Sequence, residues 1–364
     1  MSDFDTPAAA PVEEHAFPCS ACGSDLRYAP GTGRLHCDHC GNEEDIADVG
    51  PWAGAIAELD FRRALDNLLP QAEIEETRVL SCPNCGAQVE YREEVHAKEC
   101  PFCATPVVTD TGTHRHIKPK GILPFALSED AARDAMTDWL GSLWFAPNGL
   151  TQYARKGRRL QGIYVPYWTF DADTRTRYTG ARGTVRSTGT GKNRRRTTSW
   201  RNVSGRVARL FDDVLVLASQ SLPRRFTDAL EPWDLSALEP YQPSYLAGFR
   251  AEGYQIDLRN AFDLARQKMD AVIRRDIKFD IGGDRQRINK VETEISDVTF
   301  KHVLLPVWMA AYRYRGKSYR FVVNGRTGRV RGERPWSAWK IAMAVILIAV
   351  LAAGFGYLSA LAEQ

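Results

Sequence analysis

From Ile341 to Ala362 the chain has no charged position. At roughly 1.5 Å rise per residue this run spans about 33 Å, against a hydrocarbon core of about 30 Å. It predicts a transmembrane helix over 341–362, because a buried core helix of that length would carry a polar stripe. Other helices show as periodic apolar faces. Ser128 can cap one with Glu129 and Asp130 in its first turn, and Ala132, Met136, Trp139, Leu140 and Leu143 continue its apolar side. A second long helix is predicted from Asp257 to Arg275. A short one runs from Ala55 to Leu69, stopped by Pro70.

Runs rich in β-branched and aromatic residues predict strands at 162–170, 175–185, 200–211, 214–218, 291–300, 303–314 and 318–323, with NGRTG at 324–328 as a turn. IYVPYW at 163–168 is echoed by HVLLPVW at 302–308, and KGILPF at 120–125 is a fainter third copy. Proline inside such runs argues for edge strands or strand starts. The expected fold is α+β: two N-terminal four-cysteine zinc ribbons, a β-rich body over 118–335 with signs of internal duplication, and one C-terminal transmembrane helix.

The cysteines set the N-terminal organisation. CSACGSDLRYAPGTGRLHCDHCG at 19–41 and CPNCGAQVEYREEVHAKECPFCA at 82–104 share the spacing C-x2-C-x14-C-x2-C and use all eight cysteines of the chain. Tyr28 and Tyr91 are in register, and Gly23 and Gly86 follow the second cysteine of each unit. A CxxC turn lets two thiolates grip one ion, and two such turns complete a tetrahedron. Cys19, Cys22, Cys37 and Cys40 are therefore expected to hold one zinc, and Cys82, Cys85, Cys100 and Cys103 another. Four thiolates leave no place for a catalytic water, so both ions are structural. Iron in the same site, or a redox dithiol, are the competing readings. His36, His39 and His96 lie beside ligands, but the cysteines already fill each shell.

The remaining boundaries follow composition. Residues 1–18 are rich in Pro, Ala and acid and read as disordered, without the apolar run of a signal peptide. Ribbon 1 is placed at 19–41, an acidic helical spacer at 42–81 and ribbon 2 at 82–108. Arg326, Arg329, Arg331, Arg334 and Lys340 precede the apolar span, so the N-terminal part is expected in the cytoplasm. Trp336 and Trp339 sit at headgroup level. The expectation is a single-pass, tail-anchored protein of a bacterial inner (plasma) membrane.

From Thr174 to Phe211 there are eleven Arg or Lys residues and no acid. The densest part, a basic loop over 186–201, holds Lys192, Arg194, Arg195 and Arg196. It reads as a mobile hairpin tip that meets anionic lipid or nucleic acid, or as a solvated loop without a partner. GTGK at 189–192 fails as a phosphate loop, since Arg186 stands where its first glycine belongs and Asn193 follows the lysine. No GxSxG, HExxH or dinucleotide fingerprint is present, so no enzyme is predicted. His114 and His116 form a lone HxH that reads as a solvated strand. Tyr164, Tyr167, Trp168, Trp308, Tyr312 and Tyr314 read as core rather than as base-stacking platforms.

The doubled ribbons, YVPYWTFDADTRTRYTGARG at 164–183, RLFDDVLVLAS at 209–219, and LLPVW followed by YRGKSYRFVVNGRTGRVRGERP resemble a family of bacterial membrane proteins. Its members carry zinc ribbons of the transcription-factor-IIB type and are often labelled similar to the primosomal replication-restart helicase. Without a nucleotide loop, that label reflects cysteine spacing. The resemblance implies a membrane partner of stomatin-like or phage-shock-type envelope-stress proteins. The expected function is a tail-anchored adaptor that recruits a cytoplasmic protein or scaffold, with a membrane-tethered nucleic-acid binder as the alternative.

Overall fold

The apolar runs of the body pair with one another along most of their length. A computed structural model describes residues 17–46, 56–82, 87–90, 100, 102, 111–147, 160–189, 195–314 and 317–362. Among these the strands are β1 (Leu26–Ala29), β2 (Arg34–Cys37), β3 (Glu43–Asp45), β4 (Leu59–Asp60), β5 (Ile74–Ser81), β6 (Gln88–Glu90), β7 (Thr111–Ile117) and β8 (Gly121–Ile122). They continue with β9 (Gln161–Thr188), β10 (Arg195–Leu217), β11 (Glu239–Pro240), β12 (Arg250–Ala251), β13 (Arg285–Tyr314), β14 (Lys317–Asn324) and β15 (Val330–Gly332). The helices are α1 (Phe61–Leu65), α2 (Glu129–Ser142), α3 (Arg224–Thr227), α4 (Leu258–Ile281) and α5 (Ala338–Ala362). The chain is thus mixed α+β, with a sheet-rich body and one C-terminal apolar helix. Body strands run in the order β10-β9-β13-β14-β15, while β1-β2-β3 and β6-β5-β7 form small separate sheets.

Several predicted strands fuse. The runs 162–170 and 175–185 are both β9, 200–211 and 214–218 join in β10, and 291–300 joins 303–314 in β13. Of the residues that separated them in sequence, Asp212 and Asp213 are absorbed by a bulge between Phe211 and Val214, while 171–174 and 301–302 continue in paired strand. A second bulge, between Ser296 and Thr299, falls inside the predicted run 291–300. The predicted helix over 55–69 shrinks to α1, and Ala55 lies outside the described residues. Leu59 and Asp60 are taken up by pairing with Phe300 and Thr299, and Asp60 then caps α1 at the Arg63 N–H. The spacer is therefore strand as well as helix, since β5 also falls within it. The helix predicted over 257–275 runs on to Ile281, because Ile277 and Ile281 extend its buried stripe. Gly282, at φ 64, ends it.

Pro166 and Pro306 correct the edge-strand expectation, since β9 and β13 are interior strands. Each proline stands where its strand changes neighbours. On one side β9 pairs with β12 through Ile163 and Tyr164, and from Tyr167 onward with β10. Likewise β13 pairs with β8 through Val303 and Leu304, and from Val307 onward with β14. At the gap no partner strand needs a proline N–H, while each proline carbonyl still accepts a bond: Ala218 N–H to Pro166 O at 3.0 Å and Gly325 N–H to Pro306 O at 2.9 Å.

This plan repeats in detail. The units β8–α2–β9–β10 and β12–α4–β13–β14 make corresponding bonds, and Val165 of the first pairs with Leu305 of the second. Leu123 N–H bonds Leu304 O as Glu252 N–H bonds Tyr164 O. Ala126 and Leu127 N–H groups share Gly325 O as those of Gln255 and Ile256 share Ala218 O. Trp308 Nε1 donates to Leu127 O at 3.0 Å, and Trp168 Nε1 to Ile256 O at 2.9 Å. The next residue in each case, Ser128 or Asp257, is the side-chain cap of the following helix. Each tryptophan thus fixes where a helix begins.

Apolar α5 starts three residues before the predicted span, with Ile341 N–H bonded to Ser337 O at 3.1 Å. Its Ala338–Phe355 window has a mean hydropathy of 2.2 and is 0% buried by the rest of the chain. It is long and apolar enough to cross a membrane.

Trp168→Phe and Trp308→Phe should each cost about 1–3 kcal/mol, because each leaves a helix-leading carbonyl without its indole donor. Denaturant melts of the full-length protein in detergent check this, and similar losses in both variants are expected from the matched geometry.

Candidate metal centre

Two short turns build the first cysteine cluster. In each, a glycine after the second cysteine adopts a left-handed conformation, Gly23 at φ 76 and Gly41 at φ 74. Space is not the reason, since a Cβ at either would meet nothing within 4 Å. Gly23 N–H bonds Cys19 O at 2.8 Å and Gly41 N–H bonds Cys37 O at 2.9 Å, while Cys19 N–H reaches Ser24 O and Cys37 N–H reaches Asn42 O. The β1–β2 hairpin brings the turns together. Cys19 and Cys40 sulfurs lie 3.6 Å apart, Cys22 and Cys37 sulfurs 3.5 Å, and all four lie within 4.8 Å of one another. A tetrahedral ion with metal–sulfur bonds near 2.3 Å spaces its ligands about 3.8 Å apart, so these four cysteines can bind a metal.

The thiols favour a cation. The backbone N–H and hydroxyl of Ser24 hold the Cys22 thiol down to about 6. Burial opposes ionisation of Cys19, but the N–H groups of Ala21 and Cys22 and the Asn42 amide outweigh it. Cys40 is pushed up to about 12: the Asn42 N–H favours its thiolate, yet the sulfurs of Cys22, Cys37 and Cys19 oppose a further negative charge. A bound cation removes that opposition. Glu44 accepts from Ser20 N and Oγ at 2.8 Å and braces the first turn.

The second unit is described in part. Cys82 N–H bonds Ala87 O at 2.8 Å, the same link seen at Cys19 and Cys37. Cys82 and Cys100 are buried with Ala87 and Phe102 against Leu123, Ile163 and Val165 of the body. Cys85, Cys103, Tyr91 and Gly86 lie outside the described residues.

Both units pack on the body. Tyr28 N–H bonds Ala247 O at 2.9 Å, and its ring meets Tyr245 and Phe249 at 5.5 and 6.3 Å. Gln88 O of the second unit accepts from Gly253 N–H. Next to it, β7 is held through Ile117, whose N–H donates to Tyr254 Oη at 3.2 Å while His302 Nδ1 meets its carbonyl at 2.8 Å. Burial holds His302 down to about 4, so the ring is neutral and Nδ1–H is the donor. His116 is buried against Tyr254 at 4.8 Å, which corrects the solvated-strand expectation; the His114 side chain lies outside the described residues. Tyr164, Tyr167, Trp168 and Trp308 are core, while the side chains of Tyr312 and Tyr314 lie outside the description.

The basic loop is narrower than expected. Residues 186–188 and 195–201 belong to paired strands, with Arg195 opposite Thr188 and Arg196 opposite Ser187. Both arginines are exposed on edge strand β10, and Lys192 and Arg194 lie outside the described residues.

A polar cluster escaped the sequence reading. The two bulges flank Asp171, and Asp213 and Asp297 adopt left-handed φ of 51° within them. Lys301 is buried among Asp213 at 2.8 Å, Glu58 at 3.1 Å and Asp171 at 3.9 Å. Asp171, Asp212 and Asp213 have metal-ligand spacing, but the Lys301 ammonium already supplies a cation there. Burial, and the nearby Glu58 carboxylate, push Asp171 up to about 7. Glu58 is held down to about 2, where bonds from Asp171, Thr299 and Lys301 outweigh its burial. The only signals in the sequence were two acids and one lysine inside apolar runs, FDDVLV and TFKHVLL.

No family model matches the chain, and no solved structure matches it. The chain is similar to "Uncharacterized protein YdjG" of Bacillus subtilis (strain 168), at 26% identity over 328 residues, 90% of this chain and 92% of that protein.

Asp171 gives a pH test. Above an unfolded value of about 3.9 the unfolded chain ionises this carboxyl, while the folded chain keeps it protonated up to about 7. Its contribution to stability therefore falls as pH rises through that window and is level above it. Asp171→Asn should gain on the wild type across the same window, read from melts of the full-length protein. His302 titrates in both proteins and cancels.

Proposed function

We propose that the chain is a non-enzymatic, membrane-anchored zinc-ribbon adaptor that recruits a cytoplasmic protein or scaffold to a bacterial inner membrane. The carrying observation is the cysteine cluster of residues 19–40, whose hairpin packs on the body while its turns face solvent. Ser20 to Gly23 and Asp38 to Gly41 are exposed, whereas Leu26, Tyr28 and Leu35 are buried. Such a module offers a rigid protruding surface held by a structural ion. The apolar helix α5 supplies the anchor. The family resemblance adds the partner class, a stomatin-like or phage-shock-type membrane-associated protein, and a role in envelope stress.

The ions are read as zinc, two per chain, because an all-thiolate tetrahedral set favours it in a reducing compartment. Metal analysis of the full-length protein should find about two zinc ions per chain. Cys22→Ser should lower this to about one, and a wild-type value near one would remove the second site.

Pull-down from detergent extracts should recover a specific partner with the wild type and lose it when Cys82 and Cys85 become Ser, with the body still folded by circular dichroism. Recovery of the same partner from that variant removes the second ribbon from the interface.

The second reading, a nucleic-acid binder, is favoured by edge strand β10, where Arg195, Arg196, Arg201, Arg206 and Arg209 precede any acid. The adjoining sheet face is less basic. A depression of about 690 Å³ there sets Arg175, Arg177 and Arg206 beside Glu292 and Glu294. Binding of the full-length protein to DNA or RNA with a steep salt slope, and little response to anionic lipid, supports this reading over the adaptor's lipid contact.

A further inference from the structure

The turn after α2 carries Trp144, whose side chain is 77% exposed. An exposed indole is a poor fit to water and a good one to a bilayer interface, where its apolar body and polar N–H are both accommodated. Nearly two hundred residues later the chain returns to this turn. Ser337 N–H bonds Phe145 O at 2.8 Å, Lys340 Nζ bonds Trp144 O at 3.0 Å, and the rings of Phe145 and Trp336 lie 6.3 Å apart. These contacts hold the first turn of α5 against the 144–145 turn. Two further exposed indoles result, Trp336 at 59% and Trp339 at 74%, with Arg334 over the Trp336 ring at 4.2 Å.

We propose that the 144–145 turn, together with Trp336, Trp339, Arg334 and Lys340, forms a contact surface for the headgroup layer of an anionic bilayer. The proposal rests on the reading of α5 as a membrane anchor. Three arguments fix the occupant as lipid. The surface is continuous with the start of an apolar helix that nothing else among the described residues covers. Its aromatic and basic composition matches the interfacial layer, where indoles settle at headgroup level and Arg and Lys meet anionic phosphates. The acidic positions of α2, Glu129, Asp130, Asp134 and Asp138, precede its C-terminal end at Ser142 by a turn or more. The consequence is orientation: a helix tethered at one point swivels, whereas a second contact on the body sets which face of the sheet looks toward the membrane.

The test uses the full-length protein in nanodiscs of anionic lipid, with and without lipids brominated high on the acyl chain, which quench nearby indoles. Trp144→Phe should reduce the quenchable emission by roughly one third, as one of three interfacial indoles is lost. Trp233→Phe, which removes a buried indole, should leave it unchanged. The proposal is overturned if Trp144→Phe leaves quenching as in the wild type while Trp336→Phe with Trp339→Phe lowers it; the anchor then stands without the second contact. If the wild type itself shows no quenching, the anchor reading fails and the proposal with it. Loss of quenching at Trp144 on addition of a soluble protein extract, with Trp336 and Trp339 unaffected, would assign the surface to a protein partner and overturn it as well.

Discussion

A proline in an interior strand withdraws a donor that a neighbouring strand would otherwise use, and the body is arranged around two such prolines. At Pro166 and Pro306 one neighbour ends and the next has yet to begin, so the missing N–H faces no acceptor strand. The carbonyls on the same residues remain strong acceptors and capture Ala218 and Gly325. Those captures fix the point at which each antiparallel partner leaves the sheet. The tryptophan two residues on then reaches the carbonyl before a helix cap, so strand exchange and helix start are set by one short stretch in each unit.

Much of this plan was legible in outline. IYVPYW and HVLLPVW marked the repeat, Ser128 and Asp257 marked two helix starts, and Gly23 marked the first of the cysteine turns. The pairing partners were not legible, because the strands flanking each proline, β8 and β12, are two residues long and carry no periodic signal. Strand length was no easier to read. Asp212 and Asp213 looked like a break between apolar runs, as did Lys301 and His302, whereas a bulge carries the sheet past the first pair and regular pairing with Thr169 and Trp168 carries it past the second. The cysteine cluster at 19–40 was fully readable because its chemistry lies in local spacing. The Lys301 cluster was not, because its members come from residues 58 to 301 and meet only in the folded sheet.

That cluster also joins the segment between the cysteine units to the body. Glu58 lies beside β4, and its carboxylate reaches both Thr299 and Lys301. Together with the pairing of Leu59 to Phe300, this makes the intervening chain part of the sheet margin. His302 does the same for β7 one residue further along β13. The consecutive side chains Lys301 and His302 thus hold two different parts of the N-terminal region, one by charge and one by a neutral ring. Their burial is costly in isolation and is offset where Lys301 pairs with Asp213 and Asp171 as well as Glu58, and where His302 Nδ1 bonds the Ile117 carbonyl.

The two short strands have a wider consequence. β8 opens the first unit in sequence but pairs with β13 of the second, and β12 opens the second unit but pairs with β9 of the first. Each unit therefore lends the other the strand that closes it, as two hands clasp by interlacing fingers. Neither half has a complete sheet alone. The matched bonds of Leu123 and Glu252, and of Trp308 and Trp168, all run from one unit to the other, so the repeat and the clasp are one set of contacts.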